Sequence, residues 1–71
     1  IKIIAKYAID CLASGVILAH NHPSGNLKPS NEDLAITKRI KDGLKILDIS
    51  VLDHLILTSQ GYLSFGDEGI L

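Results

Sequence analysis

Apolar residues Ile1, Ile4, Ala5, Ala8 and Leu12 recur at three- and four-residue steps, while Lys2, Lys6 and Asp10 fall off that stripe. This spacing predicts a helix over residues 1–13 with one face turned inward, and Gly15 is placed to end it as a left-handed C-terminal residue. Val16-Ile17-Leu18-Ala19 follows as an unbroken apolar run, the pattern of a strand covered on both faces, and it carries His20 and His22 at its C-terminal end. Ser30 is suited to cap a second helix over 31–47, with Asp33 three residues later in a capping-box arrangement. Leu34, Thr37, Ile40, Leu44 and Leu47 form the inner stripe of that helix.

A second strand is expected at Val51–Leu57, and the strand-helix-strand order implies a right-handed crossover between parallel neighbours. Ser59-Gln60-Gly61 then turns the chain into a short strand, Tyr62 to Phe65, paired as a hairpin. Gly66 to Leu71 reads as a loop or a single helical turn. No repeat, linker or low-complexity segment interrupts the 71 residues.

Size and composition narrow the picture. A chain this short is at most one domain and buries a modest share of its surface, so it needs a metal, a partner or further sequence for stability. Its residues are 46% hydrophobic and 4% aromatic, which makes Ile, Leu, Val and Ala the core and argues against disorder. Seven Lys and Arg against eight Asp and Glu leave a net charge of -1, which gives no overall field for nucleic acid or an anionic membrane. One cysteine excludes an internal disulfide framework. With no secretory signal and no apolar stretch near the roughly 20 residues of a bilayer span, a cytoplasmic setting without a membrane partner is expected. The start at Ile1, inside an amphipathic pattern with no capping residue before it, suggests a piece of a longer domain.

The chemistry lies in His20, His22, Ser30 and Asp33, spaced H-x-H-x7-S-x2-D. Two histidines one residue apart on an extended segment project to the same face, and a carboxylate on the next helix can supply a third ligand. Three N/O ligands with a fourth position left to water is the pattern of a hydrolytic zinc site, and Cys11 alone cannot close a structural one. Pro23 holds His22 extended, and Pro23-Ser24-Gly25 suits a tight turn that stiffens the loop. Singly, each residue has a plainer reading: strand-end histidines, a helix cap, turn punctuation. Jointly, the plainer reading requires four independent coincidences. His54, in a strand between Asp53 and Leu55, could support the ligands from behind or supply a third imidazole, but it reads more readily as a satisfied core or edge histidine, since no spacing ties it to the first pair. Cys11 reads as a small buried hydrophobe. Lys38, Arg39, Lys41 and Lys45 read as a solvated face, with Asp42 among them and no interleaved aromatics.

His20-Asn21-His22-Pro23-Ser24-Gly25, followed by Pro29-Ser30-Asn31-Glu32-Asp33 and later Val51-Leu52-Asp53-His54, resembles the bacterial RadC-like proteins of the JAMM (MPN) metalloprotease superfamily. The resemblance covers residues 1–71 as the C-terminal part of one such domain. It implies an α/β fold, a mixed sheet flanked by helices in a layered α-β-α arrangement of the MPN/JAMM, cytidine-deaminase-like kind. It implies zinc held by His20, His22 and Asp33, a water in the remaining position, and Ser30 stabilising the oxyanion during hydrolysis of a peptide or isopeptide. The family pattern also has an upstream glutamate that takes the proton from the water. No glutamate precedes His20, so the segment alone is expected to be catalytically silent even when zinc-loaded.

Two other classes compete with a hydrolase. MPN-type domains that have lost ligands serve as non-catalytic interaction modules, but both histidines and the aspartate are retained here. A DNA-repair role follows from the family's name, yet near-neutral charge and scarce aromatics give nucleic-acid binding little support. His20-Asn21-His22 is not an HNH nuclease motif, whose residues are spread over a ββα unit. The H-x-E and P-C-x-x-C elements of zinc deaminases are absent. Exposed sheet edges make self-association, as a homo-oligomer, a further expectation.

Overall fold

The structure, a computed structural model, describes residues 2–71. Its elements run α1 (Lys2–Asp10), β1 (Gly15–Asn21), α2 (Asn31–Ile46), β2 (Ser50–Thr58) and β3 (Gly61–Ser64). The strands form one mixed sheet in the order β1-β2-β3, with β1 and β2 parallel and β2 and β3 antiparallel. The α/β class and the strand-helix-strand unit therefore match the sequence reading. No helix among the described residues is long and apolar enough to cross a membrane.

Both helices feed one core. Ala8 of α1, Ile40 and Leu44 of α2, Ile49 and Val51 are buried together, and Ile4, Ala5, Val16 and Leu18 pack against them. Of the inner stripe expected for α2, Thr37, Ile40 and Leu44 are buried, whereas Leu34 and Leu47 lie partly in solvent. Ile1, counted in the α1 stripe, lies outside the described residues.

The apolar run of β1 is not covered on both faces. Val16 and Leu18 meet the helices, but Ile17 is 61% exposed, as is Leu52 on the neighbouring strand. Alternation puts Ile17 on the opposite face, and no described element lies over it.

Both helices end without glycine. Leu12 adopts φ 52°, Leu12 N–H bonds to Ile9 C=O at 2.9 Å, and Ala13 N–H bonds to Ala8 C=O at 2.8 Å. This pair of bonds is a Schellman motif with a leucine in the left-handed position. The assignment of that role to Gly15 is thus corrected: Gly15 opens β1, and a Cβ there would lie 2.9 Å from Leu52 Cδ1. Leu12, expected on the buried stripe, is 88% exposed because the helix has already closed beneath it. Cys11 is likewise exposed rather than buried. The same motif recurs after α2, where Asp48 takes φ 60° and Ile49 N–H bonds to Leu44 C=O at 3.0 Å, bringing two core side chains together.

The strand register has one break. Val16 pairs with Val51 and Ile17 with Asp53, so Leu52 is an extra residue on β2. Such a bulge reverses the side-chain phase beyond it. Val51, His54 and Ile56 are consequently all buried, although an unbroken strand would send Val51 and His54 to opposite faces. The hairpin strand covers Gly61–Ser64, one residue earlier at each end than expected, and Phe65 lies just beyond it, fully buried.

Candidate metal centre

The site forms where β1 ends and α2 begins. His20 is the penultimate residue of β1 and His22 follows its last. Pro23 then enters a tight turn closed by Gly25 N–H to His22 C=O at 3.0 Å, with Gly25 at φ 81°. Proline supplies the second position of that turn and glycine its left-handed residue, as the sequence suggested. The returning loop offers Asn26 C=O to His22 Nδ1 at 2.8 Å. A carbonyl only accepts, so His22 Nδ1 carries the hydrogen and Nε2 presents its lone pair.

Ser30 caps α2 as expected. Its Oγ accepts from Asp33 N–H at 3.0 Å, and its own N–H donates to Asp33 Oδ2 at 2.8 Å, completing a capping box. The reciprocal bonds fix the Asp33 carboxylate at the helix N-terminus, where the backbone dipole favours an anion. Burial opposes the charge of Asp33. The backbone and side chain of Ser30, together with His20 and His22, outweigh it and hold the carboxyl below the ordinary carboxylate range.

His20, His22 and Asp33 converge. His20 Nε2 lies 2.9 Å from His22 Nε2 and 3.3 Å from Asp33 Oδ1, while His22 Nε2 lies 3.1 Å from Asp33 Oδ2. One ligand atom from each residue falls within 4.8 Å of the other two. Bonds of about 2.0–2.1 Å to a tetrahedral zinc would set such atoms about 3.3–3.4 Å apart, so the triad needs to open by only a few tenths of an ångström. The donor set also fits the ion: two imidazole nitrogens and one carboxylate oxygen, all only partly shielded, leave an open side.

Two residues that sequence spacing does not connect to the pair complete the surroundings. His54 is 5% exposed, and its Nε2 lies 2.8 Å from His20 Nδ1. Its Nδ1 lies 2.6 Å from the hydroxyl of Thr37 on α2, and its ring stacks on Phe65 at 4.6 Å between centroids. The stacking partner is held in turn by Asp53, which accepts from Ser64 Oγ–H and from the backbone N–H of His54 and Gly66. Hydrogen bonding from Ser64 and Gly66 lowers the Asp53 pKa despite partial burial. Burial is also the main reason the His54 pKa is lowered, with nearby His20 adding to it and Asp33 and Asp53 opposing it. Far from this cluster, Lys38 pairs with Asp42 at 2.9 Å on the exposed side of α2, as a solvated face would.

Open depressions adjoin the triad. One of about 450 Å³ is lined by His20, Asp33 and His54 with Ile4, Ile36 and Ile40. Another of about 300 Å³ reaches His22, Pro23, Gly25 and Leu57.

Comparison with known proteins agrees with this architecture. The chain is 51% identical over 70 residues to a UPF0758 protein of Flavobacterium johnsoniae, covering 99% of this chain and 31% of that protein. It is 50% identical over 70 residues to a UPF0758 protein of Aquifex aeolicus, covering 99% and 30%. A UPF0758 protein of Thermotoga maritima is 50% identical over 68 residues, covering 96% and 31%. The chain thus spans about a third of the length of the curated relatives it matches. Residues 1–70 match the RadC-like JAB domain family, and the chain belongs to that family.

Proposed function

We propose that this chain carries the zinc-binding part of a JAMM-type metallopeptidase domain that hydrolyses a peptide or isopeptide bond. One observation supports it above the rest: His20 Nε2, His22 Nε2 and the Asp33 carboxylate face a common point, while the Nδ1 atoms of both rings are occupied elsewhere. Lone pairs and a carboxylate crowded within 2.9–3.3 Å repel one another unless a cation or protons lie between them. Zinc bound there supplies Lewis acidity and lowers the pKa of a coordinated water toward about 7.

The other residues act around that point. Asp33 contributes the negative charge and, through the capping box, a fixed position. Ser30 Oγ accepts the Asp33 N–H and retains its own hydrogen, which makes it a donor for oxyanion charge on a carbonyl seated beside the triad. The family resemblance assigns proton transfer from the water to a glutamate upstream of the two histidines, and the chain's two glutamates, Glu32 and Glu68, both follow His22. The near-neutral charge and the scarcity of aromatics leave the nucleic-acid reading without a structural feature in its favour.

Metal analysis tests the reading. The full-length protein is expected to hold one zinc per chain at this site, His22→Ala to lose it, and a chelator to abolish peptide or isopeptide hydrolysis. Zinc content unchanged by His22→Ala would overturn it. Ser30→Ala is expected to lower kcat while zinc content stays at the wild-type level.

A further inference from the structure

The buried pair His54 and Thr37 has no part in the ligand set, yet it adjoins both ends of it. His54 Nε2 lies 2.8 Å from His20 Nδ1, and Thr37 Oγ1 lies 2.6 Å from His54 Nδ1 and 2.7 Å from the backbone carbonyl of Asp33. We propose that His54 and Thr37 form a positioning relay that locks His20 in the tautomer whose Nε2 lone pair faces the metal point. The proposal rests on the zinc reading above.

Counting hydrogens gives the direction. The Asp33 carbonyl is an acceptor only, so Thr37 gives it the single hydroxyl hydrogen and offers His54 a lone pair. His54 must then carry its hydrogen on Nδ1 and present an acceptor at Nε2. His20 accordingly donates from Nδ1, and its Nε2 is left as the free lone pair on the side of His22 and Asp33. The relay begins on the backbone of one candidate ligand and ends on the ring of another, so it ties their relative placement together. His22 reaches the same tautomer independently, through Asn26 C=O. An imidazole ligand whose second nitrogen donates to a fixed acceptor is held in orientation and made a better donor to metal.

The fold builds this arrangement at some cost in regularity. Ile56 pairs with His20 across the strands, so His54, two residues earlier, is the diagonal neighbour on the same face. The extra residue Leu52 keeps Val51 in the core while His54 also faces inward. Phe65, 0% exposed, lies 25° from parallel against the His54 ring and blocks its rotation from the other side. Thr37 is only 3% exposed, which shields its hydroxyl from solvent.

The relay predicts effects that packing alone does not produce. His54→Phe keeps an aromatic ring against Phe65 but removes the acceptor, and Thr37→Val keeps the shape of Thr37 but removes the group that holds the His54 hydrogen on Nδ1. In the full-length protein each is expected to weaken zinc binding about 10- to 100-fold in competition with a chromogenic chelator. Thr37→Ser restores the hydroxyl and is expected to recover most of the affinity. Long-range proton–nitrogen correlation spectra of the metal-free wild type are expected to show His20 already hydrogenated at Nδ1. Wild-type affinity in both His54→Phe and Thr37→Val, or a His20 hydrogenated at Nε2, overturns the relay while the zinc reading stands. A folded wild type that takes up no zinc overturns the zinc reading, and the relay with it. Should His54→Phe fail to fold, the Thr37 pair decides alone, because Val and Ser differ there in the hydroxyl.

Discussion

Asp33 has two roles that substitution can separate. Its Oδ2 accepts the Ser30 N–H at 2.8 Å, and the same carboxylate faces His20 Nε2 and His22 Nε2 at 3.3 and 3.1 Å. Asparagine keeps one side-chain oxygen for the cap and loses the charge. Without metal, Asp33→Asn is therefore expected to cost little: about 0.3–1 kcal/mol for a negative charge withdrawn from the first turn of a helix. With metal, the loss is much larger. At a free zinc concentration 100 times the dissociation constant, binding stabilises the folded state by about 2.7 kcal/mol. At about 4–8 °C per kcal/mol for a domain of 60–100 residues, that is a rise of roughly 10–20 °C in Tm. If Asp33→Asn weakens binding about 100-fold, the same zinc gives only about 0.4 kcal/mol, a rise of roughly 2–3 °C. Thermal unfolding of both proteins with zinc and with chelator measures the difference. A zinc-dependent rise in Asp33→Asn as large as that of the wild type would refute the assignment of this carboxylate to the metal.

Three further outcomes follow from the geometry. Leu12→Gly should raise stability by about 1 kcal/mol, because Leu12 holds φ 52° while 88% exposed and so bears left-handed strain with little packing to offset it; an unchanged or lowered denaturation midpoint would contradict this. Gly25→Ala should destabilise by about 1–2 kcal/mol and weaken zinc uptake, since φ 81° closes the turn that returns Asn26 to His22; open space around a Cβ there means that strain, not a clash, is the cause. Acid should unfold the protein partly through Asp53, whose folded pKa lies below its ordinary value of 3.8. A depressed carboxylate pKa contributes stability that is full above the ordinary value and is lost as pH falls through the folded one, so Asp53→Asn should flatten the decline in stability below about pH 4, as read by denaturant titration across pH.

Local chemistry made much of this fold legible. The capping box at Ser30 and Asp33, the turn at His22 to Gly25 and the final hairpin each depend on residues within a few positions of one another, and the parallel pair around α2 follows from the strand-helix-strand order. The convergence of His20, His22 and Asp33 was legible for the same reason, since a strand end, a short stiff loop and a first helical turn lie in succession. Three features were not. Leu12 and Asp48 in left-handed positions carry no composition signal, because glycine is the usual mark of that role. The open outer face of β1 could not be told from a covered one, because an apolar run looks the same whatever lies over it. The role of His54 stayed open between a satisfied core histidine and a residue of the site, because the bulge at Leu52 changes which β2 residues face inward, and a strict period of two from Val51 selects Asp53 and Leu55 instead.

The last point bears on how the centre holds its shape. Each of the three convergent side chains is held by a group from a different part of the chain: His22 by the Asn26 carbonyl in the loop, Asp33 by Ser30 at the helix cap, and His20 by His54 on the neighbouring strand. The first two supports span three or four residues and form with their own turns. The third spans 34 residues and exists only once β1 and β2 have paired in the bulged register. A loosened β2 therefore leaves the loop and the cap intact but releases His20 to rotate, so the cost of assembling the centre falls on that strand pairing. Any substitution that straightens the bulge acts on His20 without touching it, and its effect on metal affinity should track the loss of the His20–His54 contact more closely than the loss of global stability.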